Sequence, residues 1–170
     1  MDQQMKNLYK ALYNSPIGPF VLVSNDQYLL SLYPANKSSS IADANSIESK
    51  PIHFAKEWLD AYFSGCMPDV NTVPILLNGT PFQEKCWQQL LTIPYGGTTT
   101  YKAIAAEVAK HSATGRMSSE AVGQAIHRNP IAIIVPCHRV IGSDGSLTGY
   151  AGGIEMKEKL LIHEQSSAVR

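Results

Sequence analysis

The stretch IAIIVPCHRVIGSDGSLTGYAGG, residues 131–153, carries the strongest structural signal in this chain. Its first five residues, 131–135, form an unbroken apolar run of strand length, which predicts a buried strand. The run leads into the tetrapeptide Pro-Cys-His-Arg at 136–139, and a glycine-rich loop follows over 142–153. We therefore expect a buried element that presents a cysteine at the edge of a polar loop.

Cys137 is the candidate nucleophile. An ordinary thiol is mostly protonated at pH 7, whereas the thiolate is the reactive form, so a reactive cysteine needs a base or a cation nearby. His138 and Arg139 are the sequence neighbours that could supply them. Adjacency of Cys and His by itself more often reflects a buried thiol beside a surface imidazole, so this pair alone does not define a site.

The segment before this stretch predicts three helices. Thr80 followed by Pro81 is a typical helix start, and the predicted buried face of that helix includes Cys86. Thr99 or Thr100 caps a second helix, and Ser118 or Ser119 caps a third that ends before residue 129. Two short helices joined by a loop are a helix-turn-helix candidate, although most such pairs in globular proteins bind nothing. A last helix is predicted over 154–164.

The N-terminal part is rich in strand signals. Aromatic and β-branched runs over 7–33, interrupted by turn residues, predict two or three antiparallel strands. The Ser/Asn/Ala-rich segment 34–50 is predicted to be a loop, and 52–64 to be a helix. A connector with prolines and a glycine over 68–80 places a domain boundary, which we draw between 1–75 and 76–170. The fold class is α/β in the broad sense (α+β).

Composition restricts the class of protein. The 170 residues are 44% hydrophobic and 16% charged, which suits a packed core rather than disorder. The chain lacks an apolar run of roughly 20 residues and an N-terminal signal peptide, so we expect a soluble cytoplasmic protein with no membrane contact. Its three cysteines are widely spaced, which is not a disulfide framework. The N-terminal half offers only Cys66 and His53 as metal ligands, so no metal site is predicted.

Charge is unevenly distributed although the net charge is zero. Residues 85–139 contain six Lys or Arg and two Asp or Glu, which makes this part of the chain basic. A basic segment is typical of a nucleic-acid interface. On charge alone, ordinary scatter explains the asymmetry equally well.

The segment IVPCHRVIGSDGSLTGYAGG, residues 134–153, closely resembles the active-site segment of the O6-alkylguanine–DNA alkyltransferases, also called methylated-DNA–protein-cysteine methyltransferases. The resemblance starts at TPFQEKCWQQLLTIPYGGTTTYKAIA, 80–105, continues through EAVGQAIHRNPIAIIVPCHRV, 120–140, and ends in GGIEMKEKLLIHE, 152–164. It implies a ribonuclease-H-like N-terminal domain with an antiparallel sheet and a helix. It also implies a mostly helical C-terminal domain with a winged-helix-like helix-turn-helix.

The resemblance implies a DNA repair reaction in which the protein is consumed. Cys137 would accept an alkyl group from O6-alkylguanine, with O4-alkylthymine as a second expected substrate, in a stoichiometric and irreversible transfer. His138 would take the thiol proton through a water molecule, Glu164 would orient His138, and Asn129 would brace the turn that presents the thiol. The alkyl donor is the damaged DNA itself, so no cofactor is expected, and a monomer is expected to act on double-stranded DNA.

The resemblance also assigns a substrate pocket and a DNA-facing surface. A base inside a duplex cannot reach a protein thiol and must be flipped out, at a cost of a few kcal/mol. In the pocket, Tyr101 would lie near guanine N3 and the rotated phosphate, and Tyr150 would form a wall. The carbonyls of Cys137 and Val140 would read the guanine amino group, and the Ala151 N–H would point at O6. The DNA contacts are expected from Tyr101, Lys102, Ser119, Ala121, Arg128 and Ser143.

This chain departs from the family pattern at a few positions. Glu120 stands where many members carry an arginine that fills the gap left by the flipped base, and a carboxylate there meets phosphate repulsion. Arg116 or Arg128 could substitute for it. Ala132 and Ala151 replace a proline and a serine that are common in the family, which predicts a wider pocket and tolerance of groups larger than methyl.

Two other classes fit parts of the sequence. A pure helix-turn-helix DNA-binding module with a buried cysteine does not account for the combination of Cys137, His138 and Glu164. A Cys–His hydrolase would need an oxyanion hole and would turn over repeatedly. The alkyltransferase interpretation is the one that uses all three residues.

Overall fold

The protein is described from a computed structural model that covers residues 7–36 and 48–168. The chain divides into two compact units, Met1–Leu77 and Asn78–Arg170. Part of the predicted loop, residues 37–47, lies outside the described residues. Among the residues described, no helix is long and apolar enough to cross a bilayer.

The N-terminal unit pairs a three-stranded antiparallel sheet with one helix. Strands β1 (Tyr9–Ser15), β2 (Gly18–Ser24) and β3 (Leu29–Pro34) lie in sequence order, and α1 spans Lys50–Phe63. Ser49 caps α1 by accepting a hydrogen bond from the N–H of Ile52. Apolar side chains of the sheet and of the helix are fully buried, among them Phe20, Leu22, Leu32, Ile52, Leu59 and Tyr62. The predicted strands and helix of this unit are confirmed.

The C-terminal unit is mostly helical. It contains α2 (Pro81–Leu90), α3 (Tyr101–Ala109), α4 (Ser119–His127) and α5 (Ile154–Ala168). A short parallel ladder joins β4 (Thr99–Thr100) to β5 (Val140–Ile141). The predicted helices are confirmed, although α5 continues past the predicted end at residue 164.

Side-chain caps explain where these helices begin. Thr80 and Gln83 form a reciprocal capping box at α2, with Pro81 in the first turn. Thr100 caps α3 and Ser118 caps α4, each accepting a hydrogen bond from an N–H three residues ahead. For α3 and α4 these contacts decide between the two candidate caps that the sequence left open.

The prediction of a strand over 131–135 is wrong. These residues are buried, but they fold into consecutive turns, and Ile133 has a φ of 68°. The Asn129 side-chain amide donates to the carbonyls of Ile131 at 3.2 Å and Val135 at 2.8 Å, which closes the segment on itself. A short apolar run shows that a segment is buried, but its periodicity does not distinguish a strand from a compact turn.

Candidate active site

Cys137 opens a single 3₁₀ turn, Cys137–Arg139, directly after the compact turns. It is a free cysteine and is half-buried, and its N–H donates to the carbonyl of Val135 at 2.9 Å. Burial raises the pKa of the Cys137 thiol, while a hydrogen bond from Asn129 and the positive charge of Lys157 act in the opposite direction and only partly offset it. Burial therefore favours the neutral thiol over the thiolate at Cys137.

Asn129 organises the segment that leads to the thiol. Besides its two donated bonds, its side-chain oxygen accepts from the N–H of Ile131 at 3.0 Å. The left-handed backbone of Ile133 is unfavourable for a β-branched residue, and such strain of about 1–3 kcal/mol persists only where the surroundings enforce it. Asn129 therefore holds the strained turn that presents the sulfur.

His138 and Glu164 form a buried pair next to the cysteine. Both side chains are essentially inaccessible to solvent, and His138 Nε2 hydrogen-bonds the Glu164 carboxylate. Burial lowers the pKa of His138 and outweighs the opposing effect of Glu164. Within the described part of the chain, His138 Nδ1 is buried and has no hydrogen-bond partner. A neutral ring that donates from Nε2 to the carboxylate keeps a lone pair on Nδ1, which is the form that accepts a proton.

Arg139 binds Glu164. Its sequence position had suggested a different role, that of a cation activating the Cys137 thiol. Its Nε donates to Glu164 Oε1 at 2.7 Å and its Nη2 to Oε2 at 3.2 Å, while Nη1 donates to the carbonyl of Ile93. The N–H of Gly96 adds a further bond to Glu164 Oε1 at 3.2 Å. Burial alone would raise the pKa of Glu164, but the hydrogen bonds and charges of His138 and then Arg139 outweigh it and hold that pKa far below its usual range.

Lys157 is the functional candidate that sequence reasoning missed. Its side chain is fully buried, and its ammonium donates to the carbonyls of Val140 at 2.5 Å and Thr148 at 2.9 Å. Burial lowers the pKa of Lys157, and the neighbouring Cys137 acts to raise it. The available signal was helical spacing, since Lys157 lies on the same face of α5 as the buried Leu160, Leu161 and Glu164.

Two of the expected pocket residues, Tyr150 and Ala151, lie on the pocket loop, residues 142–153, which follows β5. Tyr150 is part-exposed, but its hydroxyl is buried and has no hydrogen-bond partner among the described residues. Burial, followed by the charges of Cys137 and Glu164, raises the pKa of Tyr150 well above its usual value, so the hydroxyl stays protonated and can donate. Ala151 is exposed, and the Val140 carbonyl already accepts a bond from Lys157.

Tyr101 connects this loop to the helices. It is the first residue of α3, and its hydroxyl donates to the carbonyl of Thr148 at 3.1 Å. The ammonium of Lys157 lies 3.5 Å from the same hydroxyl. Tyr101, Lys157 and the pocket loop thus form one hydrogen-bonded group.

The remaining predicted DNA contacts are on the surface of the C-terminal unit. Lys102 lies in the first turn of α3, and Ser119 and the half-buried Ala121 lie in the first turn of α4. Arg128 is the exposed C-cap of α4, and Ser143 is exposed in the loop after β5. The buried Gly123 of α4 faces the Tyr101 ring, and a Cβ added there would meet the ring at 3.6 Å, an ordinary van der Waals distance.

Comparison with known proteins identifies the class. The profile described as "6-O-methylguanine DNA methyltransferase, ribonuclease-like domain" matches residues 8–77, and the one described as "6-O-methylguanine DNA methyltransferase, DNA binding domain" matches residues 81–166. The chain belongs to the 6-O-methylguanine DNA methyltransferase family. The resemblance inferred from the sequence is thereby confirmed, as is the α/β fold class.

Individual relatives are similar over nearly the whole chain. A methylated-DNA–protein-cysteine methyltransferase of Methanosarcina barkeri is 45% identical, covering 94% of this chain and 99% of the relative. The Mycobacterium tuberculosis protein of the same name is 42% identical, covering 91% of each chain. The crystal structure of the M. tuberculosis O6-methylguanine methyltransferase superposes with a TM-score of 0.80 at 39% identity, covering 94% of both chains. A structure of the M. tuberculosis protein in complex with DNA gives the same TM-score at 40% identity and 94% coverage of both chains.

Proposed function

We propose that this protein repairs O6-alkylguanine in double-stranded DNA by transferring the alkyl group to Cys137 in a single irreversible step. The sulfur attacks the alkyl carbon, a carbon–sulfur bond forms and the bond from that carbon to guanine O6 breaks. The electron pair of the broken bond stays on the guanine, which leaves as an anion and takes up a proton. The thioether that forms has no route back to a thiol, so each molecule acts once.

The main support for this proposal is the series of buried side chains that follows Cys137, namely His138, Glu164 and Arg139. His138 Nδ1 has no hydrogen-bond partner among the described residues, His138 Nε2 bonds Glu164, and Arg139 donates twice to the same carboxylate. In this order the thiol proton passes through a bridging water to Nδ1, and the ionised Glu164 stabilises the imidazolium that forms. Arg139 keeps Glu164 ionised at the moment when this stabilisation is needed.

The leaving guanine needs donors where its negative charge develops. The proposed donor is the N–H of Ala151 toward O6. Tyr101, whose hydroxyl proton goes to the Thr148 carbonyl, lies near N3, and Tyr150 forms a pocket wall. Lys157 adds a fixed positive charge that favours both the thiolate and the departing base. It is placed by backbone carbonyls and therefore needs no reorganisation during the reaction.

The DNA would be held on the surface formed by α3 and α4. The small residues of α4 suit insertion of this helix into the minor groove, where binding is insensitive to sequence and the target base can be flipped. Glu120 is exposed in the first turn of α4 and faces phosphate repulsion on that surface. Arg116 or Arg128 would then fill the gap that the flipped base leaves in the duplex. The protein is proposed to act as a monomer.

The test is the intact mass of the protein after incubation with O6-methylguanine duplex DNA. We expect one added methyl group per molecule, located on Cys137 by peptide mapping and absent in Cys137→Ala. The exposed Cys66 provides an internal control and should stay unmodified. DNA binding without an adduct would support a pure binding module, and repeated turnover would support a hydrolase.

The range of alkyl groups is a separate prediction. Ala132 and Ala151 leave more room than the larger residues common at these positions, so benzyl should transfer at a rate comparable to methyl. Single-turnover rates on the two modified duplexes test this. A strong preference for methyl would contradict the wider pocket.

A further inference from the structure

His127, the last residue of α4, packs directly on the backbone of the pocket loop. Gly149 lies beneath its ring with a φ of 56°, and a Cβ atom placed there would collide with His127 Nε2 and Cε1. The loop can approach the ring this closely only because residue 149 has no side chain. The contact therefore requires both the His127 ring and a glycine at position 149.

The same ring also contacts Tyr101. The two ring centroids are 6.0 Å apart at an interplanar angle of 81°, and His127 Nε2 lies 3.4 Å from the Tyr101 hydroxyl. That hydroxyl already donates its only proton to the carbonyl of Thr148. His127 Nε2 must therefore be the donor toward Tyr101, which requires the proton of the neutral ring to be on Nε2.

Three helices thus hold the segment Thr148–Gly149. Tyr101 of α3 and Lys157 of α5 bind the Thr148 carbonyl at 3.1 and 2.9 Å, and His127 of α4 covers Gly149. The next residues along the chain are Tyr150 and Ala151, which the proposed function places against the flipped base. Small displacements of such groups are costly, because misplacement by about 1 Å can slow a reaction by roughly 10²-fold.

We propose that His127 is a positioning residue for alkyl transfer, whose ring locks Thr148 and Gly149 against Tyr101 and so sets the location of Tyr150 and Ala151. This inference rests on the proposed function. It also gives α4 a second task, since the helix that lies on DNA is joined through His127 to the loop that forms the pocket. DNA docking and pocket geometry are then coupled through one side chain.

The test measures the DNA affinity and the alkyl-transfer rate of the variant His127→Ala separately. We expect its single-turnover transfer rate at saturating O6-methylguanine duplex to fall about 10-fold or more, as for other misplaced groups. Its affinity for unmodified duplex should stay within about twofold and its melting temperature within a few degrees, because an exposed side chain contributes little to stability. His127→Gln retains a donor at similar reach and should recover most of the rate. The control is His111→Ala, an exposed histidine after α3, which should leave the rate unchanged.

Gly149→Ala disturbs the same contact from the loop side and should slow transfer similarly. Because the added methyl group collides with a ring that is absent in His127→Ala, the two effects should be less than additive in the double variant.

Loss of duplex affinity in His127→Ala with an unchanged rate at saturation would overturn the inference and make His127 a DNA contact. Additive losses would overturn it too. Failure of the unmodified protein to gain a methyl group would instead refute the proposed function.

Discussion

Replacing Glu164 by Gln should destabilise the C-terminal unit by about 3–5 kcal/mol, the cost of breaking a buried ion pair from one side. The carboxylate is buried and accepts bonds from His138, from Gly96 and twice from Arg139. Glutamine keeps one acceptor oxygen but replaces the other by an amide group that donates. At least one of these donors then faces another donor, and Arg139 stays buried without its counter-charge.

The magnitude follows from the same contacts. A hydrogen bond to a charged group contributes about 1.5–3 kcal/mol, and the substitution removes the acceptor's charge from all four bonds at once. A loss of about 3–5 kcal/mol is a large fraction of the roughly 5–15 kcal/mol that stabilises a typical domain. Transfer by this variant should therefore be measured only where it is shown to be folded.

Urea unfolding followed by tryptophan fluorescence measures this loss. Trp87 is buried in the C-terminal unit and Trp58 in the N-terminal unit. Within the described residues the Trp58 indole N–H has no partner, so a Trp58→Phe background leaves Trp87 as the reporter without removing a hydrogen bond.

Glu155→Gln on the same helix is the matched control. Its carboxylate is exposed and pairs with Lys159 at 3.1 Å, so the change should cost less than about 0.5 kcal/mol. An equally small loss in Glu164→Gln would refute the argument that the buried carboxylate balances Arg139.

Three further outcomes are expected. Lys157→Met should raise the pKa of the Cys137 thiol, which would show as slower iodoacetamide modification of that residue at constant pH; an unchanged rate would remove Lys157 from thiol activation. Asn129→Ala removes three hydrogen bonds and should cost about 2–3 kcal/mol in urea unfolding while slowing transfer. Stability should fall on acidification, because His138 and Glu164 both have lowered pKa values in the folded state, so the unfolded chain binds more protons. The loss should begin below roughly pH 6.5 through His138 and steepen below roughly pH 4.5 through Glu164, and a flat profile between pH 7 and 4 in equilibrium unfolding would contradict it.

Local sequence signals identified most of the elements and the candidate nucleophile. Helix starts at Thr80, Thr100 and Ser118 could be located because a cap is an interaction between residues three apart in sequence. Likewise, Cys137 was identified from its neighbours, since the segment around it is contiguous. These features depend on short-range geometry, which one stretch of chain contains in full.

The partners of the charged groups were decided by tertiary structure. Arg139 is adjacent to His138 in sequence, yet its charge meets Glu164, 25 residues away, and Lys157 reaches the Val140 carbonyl 17 residues away. The apolar run 131–135 could be recognised as buried, but its folding into turns depends on the side chain of Asn129. Sequence by itself therefore determined most of the element types, the helix starts to within about two residues and the candidate nucleophile. Tertiary structure alone decided which charges are buried together, because burial and pairing of ions depend on distances between segments that sequence spacing does not encode.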